Sequence, residues 1–155
     1  MADMELRPAR PDEAAVLSAL ALRSKGHWGY DEEFLAACRD ELTIPPGEVE
    51  ARRTTVAELD GVVVGHYTID GGPPVAELGQ MFVEPAHIGR GVGRALWTHA
   101  VGRARAEGIR TLTIDADPYA EAFYLAMGAT RTGAVPSGSI PGRVLPRLTF
   151  ATSGG

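Results

Sequence analysis

The feature that most constrains the fold is a glycine-rich hexapeptide, Gly89-Arg90-Gly91-Val92-Gly93-Arg94, set between a β-rich run and a helix-patterned run. Val75–Val83 reads as a strand, which Glu84-Pro85 ends. Downstream, Val92, Leu96, Ala100 and Ala104 recur at four-residue steps, and Gly108 suits the position just past a helix end. A strand entering a helix this way leaves unpaired N–H groups at the helix start. Glycines let a ligand approach that backbone, and such N–H groups suit phosphate oxygens. Arg90 and Arg94 would add positive charge. From the glycine spacing alone, a ligand-free strand–helix turn stays equally open.

The rest of the chain builds a mixed α/β pattern around this unit. Glu5–Arg7 reads as a short strand. Pro11-Asp12-Glu13 opens a helix with Val16, Leu17, Leu20 and Ala21 at helical spacing, and Lys25-Gly26 closes it. His27-Trp28-Gly29-Tyr30 is an aromatic loop. Asp31 caps a second helix to about Leu42, striped by Phe34, Leu35 and Cys38. Thr54–Leu59 and Val62–Ile69 are joined by Asp60-Gly61, a strong hairpin signal, so an antiparallel meander precedes the glycine loop. Beyond it come a strand at Arg110–Ile114, a short helix from Asp117-Pro118 to Met127, and strands near Thr130–Val135 and Val144–Phe150. With no repeat and no linker, the 155 residues read as one domain.

Charge narrows the function classes. The net charge of −5 divides into −8 over residues 1–77 and +3 over residues 78–155. An acidic chain without a basic stripe is a poor nucleic-acid binder. No apolar run reaches the ~18 residues of a membrane span, and the N-terminus lacks the apolar stretch of a signal peptide. The single Cys38 forms no internal disulfide. Together these point to a cytoplasmic protein with no membrane partner. No zinc-ligand spacing is present, so no metal is expected.

Met81-Phe82-Val83-Glu84-Pro85 followed by Gly89-Arg90-Gly91-Val92-Gly93-Arg94-Ala95-Leu96 resembles the acetyl-CoA motif of the GNAT superfamily of N-acetyltransferases. Asp117-Pro118, Phe123-Tyr124 and Met127-Gly128-Ala129 resemble the family's later motif. The resemblance covers essentially the whole chain. It implies a GNAT fold, with about six to seven strands in a mixed sheet and about four flanking helices. It implies acetyl-CoA as co-substrate and a primary amine as acceptor, either a small molecule or a protein N-terminus. It leaves room for a homodimer. Main-chain groups of Met81, Phe82 and Val83 would pair with the pantetheine arm, and the loop Gly89–Arg94, Val92 included, would cradle the pyrophosphate. Asp117 stands where many members have a cofactor-contacting Asn, and Tyr124 where many have a Tyr near the thiol sulfur. Ile88 departs from the usual polar residue, and Ala129 from the usual Phe. A rival reading of the loop, a dinucleotide fold with Asp115 as the ribose-binding acid, lacks the third glycine at Arg94 or Leu96.

Acetyl transfer to an amine needs a base for the amine and an acid for the departing thiolate. Glu77 is the candidate base, four residues before Met81. Unbroken alternation would put both on one strand face about 13 Å apart, unless Gly79 marks a bulge. His66 and His27 are rival bases, and His87 reads as a packing or capping residue. Tyr124 is the candidate acid: seven helical residues after Asp117, it would share that residue's side of one helix. The acceptor site is expected between two loops, with Trp28 and Tyr30 as pocket walls and Arg143 as a partner for a substrate carboxylate. A catalytically inactive acetyl-CoA sensor or interaction module would share the binding residues and lack turnover.

Overall fold

The computed structural model describes residues 4–152. Met1–Asp3, part of the charged stretch read as no signal peptide, lie outside the described residues. Seven strands form one sheet in the order β1-β2-β3-β4-β5-β7-β6, with four α-helices. The strands are β1 Met4–Pro8, β2 Thr55–Leu59, β3 Val62–Asp70, β4 Val75–Val83, β5 Thr111–Asp115, β6 Thr130–Pro136 and β7 Val144–Ala151. The helices are α1 Ala14–Gly26, α2 Glu32–Leu42, α3 Val92–Ala106 and α4 Glu121–Ala126. Every neighbouring pair is antiparallel except β4 and β5, which the crossover through α3 makes parallel. No described helix is long and apolar enough to cross a membrane.

Local chemistry explains most boundaries. Asp60 and Gly61 both adopt positive φ, as a two-residue hairpin between β2 and β3 requires. The Asp31 carboxylate accepts the Phe34 N–H and starts α2. Val92, Leu96, Ala100 and Ala104 are the buried line of α3, as their spacing predicts, and Trp97 joins them. Two expectations fail at helix starts. Pro11–Glu13 form a 3-10 turn, and α1 begins at Ala14 with Leu17, Leu20, Ala21 and Ser24 inward, so Val16 is half exposed. Pro118–Ala120 are a turn and not helix, so α4 starts only at Glu121.

The decisive local feature is in β4. Opposite β3, Thr68 pairs with Gln80 and Ile69 with Leu78, so Gly79 is an extra, unpaired residue: a β-bulge. The bulge reverses the alternation. Ala76 and Leu78 point into the core under α3, and beyond the bulge Met81 and Val83 do so. Glu77 therefore shares its face with Gln80 and Phe82, on the side of α1 and α2, and Met81 lies on the other. The bulge needs glycine there. A Cβ on Gly79 would sit 1.8 Å from Asp70 Oδ2 and 2.9 Å from Thr68 Oγ1. The Asp70 carboxylate cannot swing away freely, because Arg52 holds it through Nε at 2.8 Å and Nη2 at 3.1 Å. Replacement Gly79→Ala is expected to cost on the order of 2 kcal/mol, the scale of an overpacked site. Chemical denaturation checks this, and a change within about 0.5 kcal/mol contradicts the reading.

Candidate active site

The β4–β5 ladder pairs only Val75 with Thr111, Ala76 with Leu112 and Glu77 with Thr113. Pairing stops at the residue where the bulge begins to turn β4, and beyond it the two strands are no longer ladder partners. A cavity of about 430 Å³ occupies this region; its walls include Gly79–Val83 from β4 and Ile114–Asp117 from β5 and its exit.

One wall of this cavity is unpaired backbone. The Glu84 N–H donates to the Val64 carbonyl, which makes Glu84 and Val64 a hydrogen-bonded antiparallel pair. Alternation then spends the main-chain groups of Phe82 on β3 and turns those of Met81 and Val83 away, toward the cavity. Of the three residues expected to offer backbone there, Met81 and Val83 do. Phe82 lines the cavity with its ring face on the α1/α2 side.

The next wall is the glycine loop. Gly89 and Gly91 have φ of +83° and +87°, conformations that disfavour any side chain, and Gly91 is the residue preceding α3. Among the described residues no backbone acceptor takes the N–H groups of Gly89, Gly91, Val92, Gly93 or Arg94, so they form a donor nest at a helix N-terminus. Gly93 packs on Phe123, where a Cβ would come 3.4 Å from the ring. Arg90 and Arg94 are exposed beside this nest, whereas the Val92 side chain is buried under α3.

Tyr124 and Asp117 line the same cavity, although no continuous helix joins them. Tyr124 is buried, packs against Trp97 and Phe123, and its hydroxyl makes no hydrogen bond among the described residues. Burial pushes that phenol well above its usual pKa. Asp117 accepts the Tyr119 N–H at 2.9 Å, which caps the turn into α4. It also accepts from Lys25 Nζ at 2.7 Å and from the Tyr30 hydroxyl at 3.0 Å. Arg143 Nη2 donates to the Tyr30 oxygen at 2.6 Å and reaches Asp117 at 3.3 Å. Burial alone would raise the Asp117 carboxyl; Lys25, the Tyr119 N–H and the Tyr30 hydroxyl together hold it below its usual range. Burial and the facing Asp117 carboxylate keep Tyr30 protonated.

The structure thus joins Tyr30, Asp117 and Arg143 in one cluster, and adds Lys25, which the sequence reading missed. Its one signal was composition: Lys25 is the only lysine among 15 basic residues. Trp28 lines the cavity and stacks on Tyr119 at 5.4 Å. Glu41 was also missed; it reaches the cavity from the end of α2 and accepts a short hydrogen bond from Ser139.

The candidate bases lie differently. Glu77 is half-buried and precedes the lining residues Leu78 and Gly79 on β4, without lining the cavity itself. Burial raises its carboxyl pKa, and the nearby Asp115 and Asp70 carboxylates raise it further. His66 is fully buried. Gln80 donates through Nε2 to the Leu42 carbonyl at 3.3 Å, so its Oε1 accepts from His66 Nε2 at 2.9 Å. Burial pushes His66 down to about 4, and it stays neutral behind Gln80. His27 is exposed, edge-on to Trp28, and His87 stands beside the loop; neither lines the cavity. Asp115 holds Arg147 through two hydrogen bonds of 2.7 and 2.9 Å. That pairing leaves the dinucleotide reading without a free ribose acid, and the antiparallel meander β1–β4 precedes the glycine loop where that reading calls for a leading βαβ unit.

The sequence profile of the Acetyltransferase (GNAT) family matches residues 19–129. A GCN5-related N-acetyltransferase from Rhodopseudomonas palustris superposes with a TM-score of 0.77 at 29% identity, covering 97% of each chain. The PaiA N-acetyltransferase from Thermoplasma acidophilum, solved with coenzyme A, gives 0.77 at 15% identity, covering 96% of this chain and 99% of that one. A GNAT family acetyltransferase from Brucella melitensis, solved with acetyl-CoA, gives 0.65 at 22% identity, covering 96% and 88%. No curated protein matches the sequence. The chain belongs to the GNAT family of acetyltransferases, and two of these similar structures hold coenzyme A or the acetyl donor acetyl-CoA. The unpaired strand edge at Met81 and Val83 suits an extended amide-bearing arm, and the donor nest suits phosphates, so the residues present fit this donor. As a ligand of the native state, acetyl-CoA should raise the melting temperature. Gly91→Glu places a side chain on a positive-φ residue and a negative charge among the phosphate donors, and is expected to abolish that shift. A shift that survives the change contradicts the loop assignment.

Proposed function

We propose that this chain is a single-domain cytoplasmic N-acetyltransferase that moves the acetyl group of acetyl-CoA onto a primary amine by direct attack. The observation that carries this reading is a single cavity. Met81 and Val83, the glycine loop, the buried Tyr124, and an acceptor-side chamber walled by Lys25, Asp117, Arg143 and Glu41 are all parts of it.

Glu77 is the base in this reading. The bulge turns its face toward the α1/α2 side, where the acceptor chamber lies. Because Glu77 adjoins the cavity without lining it, a water bridges it to the amine. Its raised pKa suits it to take a proton near neutral pH. Tyr124 is the acid. Its hydroxyl has no partner among the described residues, and burial keeps it protonated until it gives its proton to the departing sulfur. As the amine nitrogen bonds to the acetyl carbon, the carbon–sulfur bond breaks. The amine proton leaves through water to Glu77 and the thiolate takes the Tyr124 proton, so charge balances at each end.

Two outcomes follow. Tyr124→Phe keeps the ring packing and removes the proton donor, so kcat should fall by about 10²–10⁴-fold with acetyl-CoA affinity and melting temperature near wild type. Lost stability with unchanged turnover per folded molecule would make Tyr124 a packing residue. For Glu77, the active form is the carboxylate, so wild-type kcat/KM should fall as pH drops through its raised pKa. Glu77→Gln should be slow throughout, lose that acidic limb and recover partly at high pH, where more amine is free. An unchanged acidic limb assigns the base elsewhere. Acetyl-CoA stabilisation without thiol release from any amine in a broad panel would make the chain a binding module.

A further inference from the structure

The acceptor chamber carries more charge structure than amine recognition needs. At one end Lys25 and Arg143, two cations, share one carboxylate, Asp117. All three side chains are largely withdrawn from water, with 12%, 16% and 11% of their surface exposed. Two cations on one anion leave a positive excess where water screens it poorly. Arg143 is also held in place: its guanidinium lies 5.2 Å from the centre of the Tyr30 ring and 4.8 Å from that of Phe34. Only its Nη2 donates; Nε and Nη1 make no hydrogen bond among the described residues, and Lys25 Nζ donates once of its three. Unspent donors on a fixed, over-neutralised pair call for an anion. Glu41 stands on the same chamber's wall, so a positive amine has a partner of its own. Between them the lining is apolar: Trp28, Cys38, Leu42, Phe82 and Leu145.

We infer that the acceptor is a zwitterionic amino acid with an apolar side chain, its carboxylate bound by Arg143 and Lys25 and its ammonium group drawn in by Glu41. This deepens the acetyltransferase reading and rests on it. The carboxylate earns a place only if it is recognised, because the chemistry alone favours its absence: an amino-acid amide has a less basic amine and more of it free at neutral pH. A protein N-terminus carries no carboxylate at this position and fits the chamber poorly.

Thiol release from acetyl-CoA is measured with L-leucine, L-methionine and L-phenylalanine against their primary amides. N-acetyl-L-leucine and N-acetyl-L-leucinamide are titrated calorimetrically into the enzyme saturated with coenzyme A. The acids should win in kcat/KM, and the N-acetyl acid should bind tighter than its amide by about tenfold or more, the scale of one charge-assisted hydrogen bond. Arg143→Gln should raise the acceptor KM and erase both preferences, leaving the KM for acetyl-CoA near wild type. Arg143→Lys, which keeps the charge, should retain them in part. Amides equal or better, a KM effect falling on acetyl-CoA, or acetylation confined to polyamines or peptides would overturn the inference while leaving acetyl transfer intact. Thiol release with no amine at all, including polyamines and peptides, would overturn the acetyltransferase reading itself.

Discussion

One extra residue in β4 organises the active site. Gly79 opposes nothing on β3, and the register slip it introduces reverses which side chains face which layer. The same slip coincides with the end of β4–β5 pairing at Glu77 and Thr113. Two strands that a βαβ crossover brings together in parallel thereby lose each other's hydrogen bonds. Unsatisfied main-chain groups in a half-buried cleft are costly unless a ligand meets them. The cleft is in that sense an unfinished sheet, which an extended amide-bearing arm would complete.

The bulge is held by Asp70 and Arg52, neither of which lines the cavity. Asp70 occupies the space a Gly79 side chain would need, and Arg52 locks Asp70 there. On the same face, Gln80 bridges His66 to the carbonyls at the end of α2, which ties the bent strand to the helix pair roofing the acceptor chamber. That chamber's other wall depends on Asp117, which receives Lys25 from the end of α1, Tyr30 from the following loop and its own Tyr119 N–H from the turn into α4. A single carboxylate thus joins the acceptor loops to the exit of β5.

Much of this was legible in the sequence because it is local. Asp60-Gly61, the Asp31 cap, the four-residue spacing of α3 and the glycines at 89, 91 and 93 each act over a few residues, and the structure has each element where those signals put it. Failures came where tertiary packing decides. Val16 and Leu17 are equally apolar, and only packing on the sheet selects Leu17. A bulge at Gly79 could be named but not its effect, because the side that Glu77 faces depends on β3 register. Lys25 and Asp117 are 92 residues apart, and no spacing rule pairs them. The motif's residues lie together in sequence along the cavity, whereas the Lys25–Asp117–Arg143 cluster is built from long-range contacts that no local signal carries.

The central claim is that β4 beyond Gly79 is an open strand edge completed by acetyl-CoA. Residue-resolved amide hydrogen exchange, with and without acetyl-CoA, tests it most directly. The account predicts new protection at Met81 and Val83, whose N–H groups point into the cleft, together with the N–H groups of Gly89, Gly91, Val92, Gly93 and Arg94. Phe82, already paired to β3, should be protected in both states. Protection appearing equally along β4, or absent from Met81 and Val83 while the loop alone responds, would contradict the claim.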